Sequence, residues 1–214
     1  RPSALLLDWW LGPDGIHYLR ESHLRAVIEK HVLSKEADLE HREGVGALNF
    51  LALDDLPAGQ EGEQIDPLSV IPLPTNIDLP IMPEFRPDPK DPFVTRVAAS
   101  GRKWVVLTDD SDEPRLLLNA DSFLRDVFDG PPMSPTYSFC HRPIVIRDPG
   151  THLGSILRSF RVDREHAEDD VIDIDVVLLW GDDTATRRVI TGADLLGRLL
   201  RGITSGSPAG TMKK

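Results

Sequence analysis

The sequence predicts an α/β protein of the α+β kind, built from short sheets and carrying a duplicated core. Three observations lead there. Strand-like and helix-like runs alternate from Phe93 to about Thr204. Prolines crowd the stretch between Asp66 and Pro92, so no long helix passes through it. A run of 22 residues, Trp104 to Arg125, recurs without a gap 73 positions later as Val177 to Arg198.

Composition narrows the function classes. The 214 residues are 40% hydrophobic and 28% charged, as in a globular protein. A net charge of −11 argues against nucleic acid and anionic membrane as partners, because both demand clustered Lys and Arg. Cys140 is the single cysteine, which excludes an internal disulfide and a thiolate metal cluster and points to a reducing, cytoplasmic setting. No apolar run reaches the ~20 residues of a membrane span. The stretch "ALLLDWWLG" is interrupted by Asp8 and lacks the basic start and cleavage site of a secretory signal. The chain begins at Arg1 rather than Met, as a trimmed form of a longer protein would.

Element by element, residues 1–62 read as a mixed α/β extension. "HYLRESHLRAVIEKHVL" sets Leu19, Leu24, Val27, Ile28 and Val32 near helical spacing. Ala47 to Leu53 reads as a strand ended by Asp-Asp and Pro. Trp9-Trp10 reads as a hydrophobic anchor. His17, His23, His31 and His41 are too widely spaced to share one helical face, so no metal site is expected. Residues 63–135 form a first repeat, 136–204 a second, and 205–214 a frayed tail. "SVIPL" and "RPIVI" lead the two repeats as strands. "FVTRVAASGRKWVVLTDD" reads as a hairpin turning at Ser100-Gly101. "THLGSILRSF" gives the second repeat a helix that the prolines of "IDLPIMPEFR" deny the first, so the first copy reads as eroded. In the final helix Leu195, Leu196, Leu199, Leu200 and Ile203 make one apolar stripe.

Aligned at 73, Val105 meets Leu178, Val106 meets Leu179, Leu116 meets Val189 and Leu117 meets Ile190. Leu118 then stands where Thr191 stands, and Asn119 replaces Gly192. Thr191-x-x-Asp194 opens the last helix after a hydrophobic strand. This is a capping box, which by itself needs no ligand.

Strand, helix, strand, strand, helix, occurring twice, resembles the CBS domain, named after cystathionine β-synthase. The second copy carries the resemblance in "RPIVIRDPGTHLGSILRSF", "DVVLLWGDD" and "RRVITGADLLGRLL", and the likeness covers Asp66 to Ile203. It implies a tandem CBS pair with pseudo-twofold symmetry behind the N-terminal extension. It further implies a non-catalytic regulatory or sensor module that requires no cofactor and binds an adenosine-type ligand (AMP, ADP, ATP or S-adenosylmethionine) between the repeats. By the same resemblance Thr191 and Asp194 hold the ribose hydroxyls, Ile144 lies against the adenine, and a homodimer forms through the helices, with an effector protein as a further partner. Arg187 and Arg188 are the cations expected to answer a phosphate, and the acidic run "VDREHAEDDVIDIDVV" is expected to repel a triphosphate. The rival expectation is a protein-interaction or dimerisation module with no small ligand. No catalytic residue is assigned: Cys140 beside His141 is a sequence neighbour pair, and no hydrolase, P-loop or dinucleotide motif occurs.

Overall fold

The computed structural model describes residues 21–32, 41–130, 134–160 and 175–203. Trp9-Trp10, His17, the acidic run up to Ile174 and the tail lie outside them. Contacts divide the chain into two compact units, Arg1–Asp55 with Leu196–Lys214, and Leu56–Leu195. The described residues hold six α-helices and ten short strands.

In the first unit, α1 (Glu21–Val32) packs on α2 (His41–Asp54). The Arg25 guanidinium donates to the Leu51 carbonyl and the Asp55 carboxylate, both at 3.4 Å. The Asn49 amide donates to the Leu199 and Arg201 carbonyls at 2.9 and 2.7 Å, supplying donors that the end of a helix lacks. The strand expected over Ala47–Leu53 is helical instead. That stretch holds no β-branched residue, and its Ala and Leu are the strongest helix formers.

The second unit contains two four-stranded sheets. In the first, β2 (Val70–Pro72) runs parallel to β5 (Trp104–Thr108), which pairs antiparallel with β6 (Pro114–Asn119), which pairs antiparallel with β7 (Cys140–His141). In the second, β8 (Ile144–Ile146) runs parallel to β9 (Val176–Leu179), which pairs antiparallel with β10 (Arg188–Thr191), which pairs antiparallel with β1 (Glu63–Gln64). The pairing scheme is the same in both. The outer strands are exchanged: residues 63–64, at the head of the first expected repeat, complete the second sheet, and residues 140–141 of the second complete the first. Gly62 (φ +73°) permits this, since a Cβ there would lie 2.1 Å from the Val189 carbonyl oxygen. A separate hairpin, β3 (Thr75–Asn76) with β4 (Leu79–Pro80), interrupts the first half.

The two central hairpins superimpose at a shift of 72, not 73. Trp104–Asn119, Val105–Leu118, Val106–Leu117 and Leu107–Leu116 map onto Val176–Thr191, Val177–Ile190, Leu178–Val189 and Leu179–Arg188. Burial agrees. Val106 and Leu117 share a core with Val176, Leu178 and Trp180, whereas Val105, Leu107, Leu116 and Leu118 pack on the other face against the helices. A slip of one residue turns every strand side chain to the opposite face, so the 73 alignment set helix-facing residues against sheet-facing ones. Asn119, not Leu118, is the counterpart of Thr191.

The first half also has its helix. The expected hairpin around Ser100-Gly101 is replaced by α3 (Pro92–Ala99), a turn at Gly101 (φ +58°) and β5. Asp91 caps α3 by accepting from the Phe93 and Val94 N–H groups at 2.9 and 3.4 Å, and Pro92 sits at the start, where its missing donor costs nothing. Phe93, Val94 and Val97 then join Phe123 and Val127 of α4 (Ala120–Asp129) beneath the first sheet. The prolines displaced this helix along the chain rather than removing it. In the second half, α5 (Leu153–Leu157) buries Leu153 and Ile156, and α6 (Gly192–Leu199) follows β10 directly.

Candidate ligand cleft

At the C-terminal end of β10, strand and helix meet without a linker. Asp194 folds back so that its Oδ2 accepts from the Thr191 N–H at 2.8 Å and the Thr191 hydroxyl at 2.7 Å. The capping box is therefore formed, and Oδ1 of Asp194 has no donor among the described residues. This corner is one wall of a cleft of about 390 Å³ within the second unit. Val176, Val189 and Trp104 supply apolar lining, and Glu63, Lys103 and Asp175 supply charged lining. A depression of about 40 Å³ adjoins it, sharing Glu63, Lys103, Trp104 and Val189 and adding Asp66 and Arg102. The main cleft falls in the size range of small-molecule sites.

Trp104 is held on its other side. The His141 ring meets it edge-on at 4.8 Å between centroids, and His141 Nδ1 lies 2.8 Å from Asp175 Oδ1. The hydrogen bond from His141 holds the Asp175 carboxyl below the ordinary carboxylate range, against desolvation that pushes it up. Lys103 Nζ lies 5.3 Å from the Trp104 ring centre.

Of the four residues expected to bind ligand, Thr191 and Asp194 line the cleft. Ile144 and Arg188 do not. Ile144 lies on β8, opposite Val177 and two strands away from β10. Arg188 donates through Nε and an Nη to the Glu61 and Gly62 carbonyls, both at 2.7 Å, and so secures β1. Arg187 is committed elsewhere too. Its guanidinium stacks 3.9 Å over Trp180, donates to Asp112 Oδ2 at 2.5 Å and to the Gly181 carbonyl at 3.1 Å, and is almost wholly buried. With the Trp180 indole N–H on the Asp112 carbonyl and the Arg147–Glu113 ion pair, this cluster ties the β5–β6 turn to the β9–β10 turn, at the end of the strands opposite Thr191. Sequence reading missed Glu63, Lys103, Trp104 and Asp175. The correct 72-residue shift identifies Lys103 with Asp175 and Trp104 with Val176, but the arrival of Glu63 depends on the strand exchange. Cys140 is buried, and burial pushes its thiol up to about 12, which leaves it un-ionised and inert.

No family model and no curated protein matches the sequence. Solved structures do resemble it in shape, among them the following two. A functionally unknown conserved protein domain from Neisseria meningitidis MC58 aligns with a TM-score of 0.48 at 13% identity, over 82% of this chain and 97% of that one. The CBS domain of a bacterial CNNM/CorC family Mg2+ transporter, in complex with the inhibitor IGN95a, aligns with a TM-score of 0.54 at 10% identity, over 85% of this chain and 97% of that one. The fold is that of a CBS domain. A fold by itself assigns neither role nor ligand. Among the described residues no helix is long and apolar enough to cross a membrane.

Proposed function

We propose that this chain is a non-catalytic regulatory module, a tandem CBS pair that binds an adenosine-type ligand in the cleft beside Thr191. The observation that carries the reading is the Thr191–Asp194 corner on a cleft wall, with one carboxylate oxygen of Asp194 still able to accept from a ribose hydroxyl. Trp104 offers an aromatic surface for the base, and the two apolar valines line the cleft. Regulation follows by linkage: the conformation that binds the ligand better gains population, by no more than its differential affinity.

The test is calorimetry and thermal shift with AMP, ADP, ATP and S-adenosylmethionine, on the wild type and Asp194→Ala. Losing charge-assisted hydrogen bonds to the ribose weakens binding by about 2 kcal/mol, roughly thirtyfold. An absent response to every ligand, or the same affinity in the variant, removes the reading.

A second reading, assembly without a small ligand, has its own support. Phe128 on α4 and Leu196 on α6 present large apolar side chains that are 53% and 54% exposed. Under it, homodimerisation through these helices or capture of an effector protein is the function. Light scattering of Phe128→Ser and Leu196→Ser separates it, since both variants become monomers only if these side chains hold a dimer.

A further inference from the structure

The charges around the cleft are unbalanced, and the imbalance bears on which adenosine ligand enters. Glu63, Asp175 and Asp194 are carboxylates on its lining, and Lys103 is the only cation among the described lining residues. The adjoining depression adds one of each sign, Arg102 and Asp66, and these two already face each other at 3.7 Å. Lys103 is placed near the Asp175 carboxylate and over the Trp104 ring. Arg187 and Arg188 are bonded away from the cleft. At the start of α6, where the helix dipole would favour a phosphate, the chain's own Asp194 carboxylate takes the Thr191 N–H and adds a negative charge to the cleft lining. Among the described lining residues a phosphate chain would meet three carboxylates and one cation.

We infer that the cleft selects by charge, admitting a neutral or cationic adenosine ligand, such as adenosine or S-adenosylmethionine, and rejecting nucleoside polyphosphates. The inference rests on the adenosine reading of the site. Its physical content is Coulomb repulsion in a partly enclosed space, where screening by water is weaker than at an open surface. Glu63 is the group to alter, because it lies on an exposed two-residue strand and takes no part in the Thr191 corner.

The experiment is calorimetry of the whole chain with adenosine, S-adenosylmethionine, AMP and ATP at low and high salt, repeated on Glu63→Gln. Affinity is expected to fall about tenfold from adenosine to AMP and further to ATP, with the gap narrowing as salt rises. In Glu63→Gln, ATP gains about three- to tenfold relative to adenosine. ATP binding as tightly as adenosine overturns the inference and leaves the adenosine reading standing. A preference for adenosine that neither salt nor Glu63→Gln alters also overturns it, because selection then has a steric origin. Binding of none of the four removes the adenosine reading and this inference together.

Discussion

The two halves of the second unit share one strand scheme and end differently. Where β10 runs into α6, Thr191 and Asp194 border an open cleft. At the corresponding place in the first half, β6 runs into α4, and Asn119 caps the helix by accepting from the Ser122 N–H at 3.1 Å. The 72-residue shift puts Asn119 on Thr191, Ser122 on Asp194, and Trp104 on Val176. In the outer strands, His141 faces Leu117 as Glu63 faces Val189. At these positions the two halves differ in side-chain volume and in bonding. Trp104 takes up volume that Val176 does not, and His141 binds Asp175 and Trp104 where Glu63 lines the cleft. The same strand scheme thus carries different side chains at its two strand–helix corners, and a few of them line the cleft.

The largest effect expected from disturbing this contrast comes from Trp104→Val, which gives the first half the second half's residue. It removes the ring under His141 and one surface of the cleft together, and unfolding free energy falls by about 2 kcal/mol, below the cost of a fully buried Trp because Trp104 is half-buried. Urea titration measures it, and a change under half that size means that Trp104 contributes little to closing the first half.

Next is Asn119→Ala, which deletes the cap of α4 and costs about 1 kcal/mol, whereas Asn119→Thr, copying the second half, costs only a few tenths. Equal losses for both show that the two corners are not interchangeable caps.

The smallest effect concerns pH. Asp175 has its pKa lowered in the folded protein, first by the hydrogen bond from His141. Its contribution to stability is therefore present above the ordinary carboxylate pKa and is lost as pH falls through the lowered folded value. Asp175→Asn flattens that part of the acid limb in urea titrations between about pH 5 and pH 2. The carboxyl is 41% exposed, so the difference is a fraction of a kcal/mol. An unchanged acid limb means the His141–Asp175 pair does not persist in solution.

Local chemistry, carried by neighbouring residues, was legible along the chain. The Thr-x-x-Asp step is a cap wherever a strand meets a helix, and it formed as such. The apolar runs of β5, β6, β9 and β10 read as strands because buried strands need such runs. Identity matching placed the repeat one residue out, because coincident Asp, Arg and Ala residues, most of them outside the strands, outweighed the pleat, and only the pairing register reveals which residues share a face. The helix α3 was missed because proline content was charged to the wrong segment, although Asp91-Pro92 before an apolar stripe was a readable start signal.

What the amino-acid order determined by itself was the α/β class, the strand character of the apolar runs and the capped corner at Thr191, since each depends on residues close in sequence. Tertiary structure alone decided which corner became a cleft. Glu63 and Asp175 come to Thr191 through strand exchange and sheet pairing, and Arg187 and Arg188 are drawn away by partners 75 and 127 positions distant. Contacts of that range are set by how the sheets pack, which no local pattern of side chains encodes.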